Sequence, residues 1–430
     1  MLTIRGLQLA SLWACLALLL VMSRLLARVV RMVGCPPLVG ALLAGVIVSH
    51  SALGALWPPV SRWLLPATPA ATDLLGGIVN VSLLFVCFVL GLETDVGLLH
   101  RLGRQLPVLA ATSLVVPLAA GAGLGAATVP ILIGPQGTRA STIVLLGAVA
   151  AVSSLPVIAW TLRELGVHHR PVGQLAIGVA TIHDAAGFVL LAVGVGLARR
   201  VGETRLLEVG GGLTVIATLV VGGAHRLADA LLRHTDPEGQ RQISAVLGVI
   251  VATMLICAAL TQAVHLDGAL GAFIAGVAFG RSAYHRHEAA RVLDELTTGV
   301  FAPLYFAAAG ISLRLATLAH PATALELGGL VVVATASKVL GSFVGSRLCP
   351  RPVHDARFLA TVLNGRGAMQ VIIAGVALRH SVLTSSAYTV IVTAAIIATA
   401  LMAPVARRLV GSPAEPAGPD ALQPGATPAG

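Results

Sequence analysis

Charge is scarce in this chain. Asp, Glu, Lys and Arg make up 11% of its 430 residues, and aromatic residues only 4%. A soluble domain of this length needs a polar surface, which so few charges cannot supply. With 57% hydrophobic residues and a mean hydropathy of +0.92, the chain reads as an all-α polytopic membrane protein. The net charge of +10 is carried by arginines between apolar segments. Basic runs with interleaved aromatics are missing, so nucleic acid is not an expected partner. The five cysteines, Cys15, Cys35, Cys87, Cys257 and Cys349, form no CxxC pair, which argues against both a disulfide framework and a metal cluster. There is no glycine-rich nucleotide loop and no acid, base and nucleophile set at membrane depth, so neither an enzyme nor a cofactor is expected.

What is present is apolar sequence in lengths that fit a bilayer, which needs about 20 residues per helical crossing. Thirteen segments qualify, at approximately 8–28, 36–54, 75–92, 106–128, 140–162, 172–198, 210–231, 243–263, 266–284, 298–316, 325–346, 356–378 and 385–406. The first resembles a signal peptide, but no small-residue cleavage site follows and Arg24, Arg28 and Arg31 come next, so it reads as a retained anchor. Connectors after odd-numbered spans carry 18 arginines, against 8 in the N-terminus and the other connectors. This bias places the N-terminus outside and the C-terminus in the cytoplasm, in the plasma membrane, and it requires an odd number of spans. The weakest connector for this reading is "ARRVGETRLLEVG", with three arginines on the outer side. Residues 411–430 are rich in Pro, Ala and Gly and read as a disordered cytoplasmic tail with no soluble domain appended.

Two spans are interrupted at their middles. Span 5 contains "AAVSSLPVIAW", where Pro156 lacks an amide proton and disfavours helix at Leu155, while Ser153 and Ser154 can bond freed carbonyls or a ligand. Span 12 contains Asn364, Gly365, Arg366 and Gly367 in succession. Unwound backbone at membrane depth requires burial in protein or a wet cavity. A pair of such breaks in corresponding halves points to the binding site of an inverted-repeat transporter, where helix ends offer carbonyls and amides to ions. The simpler readings are a proline kink in span 5 and packing glycines in span 12. "GALLAGV" and "GALGAFIAG" serve packing in the same way elsewhere. Arg366 resists this reading, because a guanidinium is always charged and must find partners or water.

Lysine is almost absent: Lys338, inside span 11, is the sole lysine among 28 basic residues. A buried lysine can lose its proton and an arginine effectively cannot, so the exception suggests a need for a compact or titratable ammonium. The alternative is a lysine reaching to the cytoplasmic edge. Asp184 is the one acidic residue near the centre of a span, since Glu93, Asp95, Asp267 and Glu326 lie near ends. A carboxylate there costs roughly 2.5 to 3.5 kcal/mol on insertion scales and persists only with partners or a job. Thr181, three residues earlier on the same face, is placed to hydrogen-bond it. His183 is about a quarter-turn away and aims at a different neighbour. A purely structural Asp184, paired with Lys338 or Arg366, is the competing reading.

In order along residues 10 to 408, the chain resembles the monovalent cation:proton antiporters, in particular the cation:proton antiporter-2 branch. "CPPLVGALLAGVIVSHSALG" is similar to that family's second span and "LLFVCFVLGLETDVGLL" to its third. "AAVSSLPVIAWTLRELG" is similar to its broken fifth span and "ATIHDAAGFVLLAV" to its ion-binding sixth. "GALGAFIAGVAFG", "FAPLYFAAAGISL", the Lys338 span and "NGRGAMQVIIAGVAL" continue the pattern. The resemblance implies thirteen helices in two inverted-topology repeats with two broken, crossing helices. It further implies a core (about 106–198 and 325–408) moving against a scaffold (about 8–92 and 243–316) that forms a homodimer. Asp184 then matches the carboxylate that binds Na+ or K+ and a proton in turn, with Ser153, Ser154, Thr181 and His183 around it. Lys338, Arg366 and Asn364 match charge and polar partners in the core.

His183 departs from the family's electrogenic members, which carry a second acid there. One carboxylate implies one proton per cation and electroneutral exchange. Exchange at Asp184 is competition: a deprotonated carboxylate holds the cation, and protonation removes the charge that holds it. Rival readings are a proton-coupled transporter of an organic ion on the same architecture and a non-transporting sensor.

Overall fold

The structure, a computed structural model, describes residues 6–65, 68–94, 96–198, 243–263, 266–281, 287–349 and 351–410. Apart from one isolated bridge between Ile133 and Leu383, helix is the regular structure of the described residues. Nine helical stretches among them are long and apolar enough to cross a membrane, joined by shorter apolar helices such as Gly268–Gly280 and Ala368–Arg379. The chain is thus a multi-pass membrane protein. The predicted span 7 (210–231) and the tail (411–430) lie outside the described residues. Every other predicted span falls on helix, with shifted ends. Span 3 begins at Pro69, and span 9 begins only at Gly268, which leaves Asp267 in the connector as the helix N-cap.

Span 10 shows how local sequence shapes an element. It opens as a π-turn over Thr297–Phe301 and continues as α-helix over Ala302–Ile311. Pro303 has no amide to give the carbonyl of Gly299, four residues back. Arg24 Nη2 from span 1 supplies the missing donor at 3.2 Å.

Spans 4, 5, 6, 11, 12 and 13 pack among themselves, and spans 1, 2, 3, 8, 9 and 10 among themselves. In the second group close approach depends on glycine. Gly45 of span 2 lies against Gly310 of span 10, and Gly276 of span 9 against Gly91 of span 3. A Cβ on any of the four would overlap a backbone carbonyl of the facing helix. The two crossings use matching hexapeptides, GALLAG at 40–45 and GAFIAG at 271–276.

Span ends assigned to one side by the arginine count meet one another. Arg351 binds Gln105 and Arg407 binds Glu164 at one end of the bundle. The carbonyl of Val382 accepts from Gly134 and the carbonyl of Leu313 from Ser51 at the other.

Candidate ion-binding site at the crossing of spans 5 and 12

Span 5 is two helices, Arg139–Ala151 and Leu155–Glu164, with Val152, Ser153 and Ser154 unwound between them. Pro156 falls in the first turn of the second helix, where a missing amide costs nothing. Span 12 is likewise two helices, Val353–Val362 and Ala368–Arg379, broken over residues 363–367. The breaks cross and bind each other. Ser154 N donates to the carbonyl of Gly365 at 2.9 Å, Ser153 Oγ to that of Leu363 at 2.6 Å, and Ala368 N to Ser154 Oγ at 3.2 Å. A Cβ on Gly367 would press on the side chains of Val157 and Leu38, so a larger residue in this turn has to displace them.

A helix end leaves its last carbonyls without partners. At the end of Arg139–Ala151 four consecutive carbonyls are each met by a side chain. Arg366 donates to Val149 at 2.7 Å and to Ala150 at 2.9 Å, Lys338 donates to Ala151, and Gln370 to Val152. Two cations thus sit at the negative end of a helix dipole, which favours them there. This corrects the expectation that the break leaves carbonyls free for an ion. The donors come from spans 11 and 12, far away in sequence.

Lys338 is fully buried rather than reaching to the cytoplasmic edge. Besides Ala151 it donates to the carbonyl of Ser113 at 2.9 Å and lies 3.0 Å from His183 Nδ1. Three acceptors match the three protons of an ammonium. His183 Nε2 is 3.1 Å from the carbonyl of Ala110, which can only accept, so the proton belongs on Nε2 and Nδ1 is free to accept from Lys338. Ser113 Oγ stands 3.2 Å from the same Nε2, and Ser153 Oγ 3.0 Å from Nδ1.

Asp184, 2% exposed, faces elsewhere. Its Oδ2 accepts from the amide of Leu155 at 3.2 Å, at the positive start of the second half of span 5. Its Oδ1 is buried with no hydrogen-bond partner, and the same is true of Asn364 Oδ1. Lys338 donates to the groups named above, and the Arg366 guanidinium to Val149, Ala150 and the Ala334 carbonyl at 2.8 Å with its Nε left unpartnered, so the structural ion pair with Asp184 considered from sequence is not formed by either. Thr181 does not bond the carboxylate either. Its hydroxyl donates to the carbonyl of Ile177 at 3.0 Å, the back-bond that helical threonines favour.

Reasoning from sequence passed over Ser113, Gln370 and Thr399. Thr399 Oγ accepts from Arg366 N at 3.2 Å and donates to the Arg366 carbonyl. Gln370 carried a usable signal: it is the third residue of a helix that starts after a glycine, the position from which Gln reaches back to the cap. Its Oε1 accepts from Gly367 N at 2.8 Å. A cavity of about 10 Å3 lies beside Arg366 and Gln370, enough for a water-sized occupant and far too small for an organic molecule.

The described residues hold no group of three or more His, Cys, Asp or Glu arranged for a tightly held metal. What they leave unpartnered includes one carboxylate oxygen of Asp184 and the amide oxygen of Asn364, both hard donors.

Comparison with known proteins agrees with this fold. Cation/H(+) antiporter 17 of Arabidopsis thaliana is 26% identical over 93% of this chain, and the match spans 48% of that protein. The chain therefore spans about half the length of such plant relatives. The Na(+)/H(+) antiporter NhaS4 of Synechocystis is 25% identical, covering 88% of this chain and 92% of its own length. The Na(+)/H(+)-K(+) antiporter GerN of Bacillus cereus is 22% identical, covering 92% and 96%. The solved structure of the sodium proton antiporter MjNhaP1 from Methanocaldococcus jannaschii at pH 8 superposes with a TM-score of 0.59 over 94% of each chain at 14% identity, a shared fold. The sequence profile of the transmembrane sodium/hydrogen exchangers matches residues 17–410. With nearly all of its length inside that profile, the chain is a member of the sodium/hydrogen exchanger family, which comprises transporters and not enzymes.

Proposed function

We propose that this protein is a secondary antiporter that exchanges Na+ or K+ for protons across the plasma membrane, with its C-terminus in the cytoplasm. One observation carries the reading. Asp184 is a buried carboxylate with one oxygen held by a helix-start amide and the other without a partner, and Asn364, in the break of span 12, carries a second buried oxygen without a partner. A cation occupies the unpartnered oxygens when Asp184 is ionised, and a proton replaces it. Either occupant neutralises the carboxylate, so the loaded core (106–198 and 325–408) moves against the scaffold (8–92 and 243–316) in an elevator-like step. An empty, charged core is held back by the cost of carrying a bare carboxylate through the bilayer.

Exchange is one proton for one cation. No carboxylate shares the proton of Lys338, whose partners are two carbonyls and His183. The names of NhaS4 and GerN support Na+ and K+ as the candidate cargo. The protein works as a homodimer through its scaffold.

The test is proteoliposomes with a trapped pH dye, to which sodium, potassium and lithium are added in turn. Wild type moves protons in response to at least one cation, and Asp184→Asn does not. No cation-dependent proton movement in wild type between pH 6 and 9 would overturn the reading.

A further inference from the structure

Two bodies that slide past each other must part somewhere, and the polar contacts between the two helix groups mark where. Asp267 belongs to the group of spans 1–3 and 8–10, whereas Arg379 and His380 end the second half of span 12 in the other group. Asp267 Oδ1 caps its own helix by accepting from Ala269 N at 2.9 Å. Its Oδ2 faces across the boundary, 3.6 Å from Arg379 Nη2 and 3.5 Å from His380 Nε2. Burial pushes this carboxyl up, but the His380 hydrogen bond, the Arg379 guanidinium and the Ala269 amide together bring it below the usual carboxylate range.

Two further links cross the boundary at the same end of the bundle. Tyr388 Oη donates to the Ala309 carbonyl at 2.7 Å, and Arg314 N donates to Thr389 Oγ at 3.1 Å. Beneath them a cavity of about 10 Å3 separates spans 6 and 9, lined by Phe188, Ala192, Leu266 and Leu270. The stitched end is the one opposite the arginine-rich connectors. At the arginine-rich end, the Arg407 guanidinium lies against Gly34 across the boundary, a contact without a carboxylate partner from the facing group.

We infer that Asp267, with Arg379 and His380, forms the outer joint that the core must break each time it turns the ion site outward. The joint holds the site closed to the outside in the state described here and so helps set the rate of the outward step. This rests on the proposed elevator movement, but the joint itself is tested without transport.

Ala192→Cys places a thiol in the cavity under the joint. The rate at which a membrane-impermeant maleimide added outside labels it, above the label taken by the unsubstituted chain, reads how often the outer boundary opens. Asp267→Asn removes the charge yet keeps the cap, because Asn is as good a cap residue as Asp. Arg379→Gln removes the partner, and if it does not fold the Asp267→Asn protein gives the answer alone. Loss of a partly exposed pair raises labelling about two- to fivefold in either variant. Unchanged labelling in Asp267→Asn overturns the inference. Raised labelling in a protein whose wild type exchanges no cation for protons upholds the joint and sinks the antiporter reading.

Discussion

The amide of Leu155 holds Oδ2 of Asp184 at 3.2 Å and leaves Oδ1 bare. The helix that begins at Leu155 therefore aims its positive end at the carboxylate and favours its charged form, while the other oxygen is left open. In the proposed exchange, cation and proton compete for this oxygen, which has no hydrogen-bond partner among the described residues.

Asn364 Oδ1 is the second orphan oxygen, and its removal should weaken cation binding without touching the carboxylate. Asn364→Leu is expected to raise the apparent KM for the cation about tenfold, the equivalent of roughly 1.4 kcal/mol, with the maximal rate retained. Exchange assays over a range of cation concentration separate the two. An unchanged KM would remove Asn364 from the site.

Lys338 and Arg366 act on the crossing through the helix end they cap. Lys338→Met leaves the carbonyls of Ala151 and Ser113 without a donor, and each buried unsatisfied acceptor costs about 1–3 kcal/mol. Thermal unfolding of the purified protein in detergent should show a marked drop in Tm, larger than that of Asn364→Leu. Equal Tm values for the two variants would contradict the capping role.

His183 stands where a second acid would add a second exchangeable proton. Exchange by wild type is expected to be indifferent to an imposed membrane potential, and His183→Asp is expected to make it potential-dependent. Potassium gradients with valinomycin, with sodium as cargo, set the potential for this comparison. Steep potential dependence in wild type would rule out one-for-one exchange.

Gly276→Val drives a side chain into the Phe88 carbonyl at the crossing of spans 9 and 3. Loss of folded protein on size-exclusion chromatography is the expected result. Gly328→Ala, where a Cβ meets nothing, should be neutral or slightly stabilising, since alanine favours helix over glycine by about 1 kcal/mol.

Asp184, Lys338 and Arg366 stood out in the sequence because a charge inside an apolar run needs partners, and all three are buried. Ser113 and Thr399 were not, because a hydroxyl in a span satisfies itself on its own helix and announces nothing. The same self-satisfaction took Thr181 away from Asp184. The helix breaks were visible at Pro156 and at Gly365 to Gly367, but what fills their freed carbonyls was not. That depends on side chains more than 180 residues away being brought to one end of one helix. Span starts were read late at spans 3 and 11, which begin at Pro69 and Pro321, and the turn at span 10, where Pro303 and Arg24 act together, was not visible.

The saturated carbonyls at the end of Arg139–Ala151 bear on how long cargo stays. A cation that stripped its water and took up four carbonyls would sit in a deep well and leave slowly. Here Arg366, Lys338 and Gln370 have already claimed those oxygens, so under the proposed exchange the ion is left with the Asp184 carboxylate, the Asn364 amide oxygen and whatever water it keeps. Shallow binding means fast dissociation, and a carrier that must empty itself on every cycle gains throughput from a poor grip.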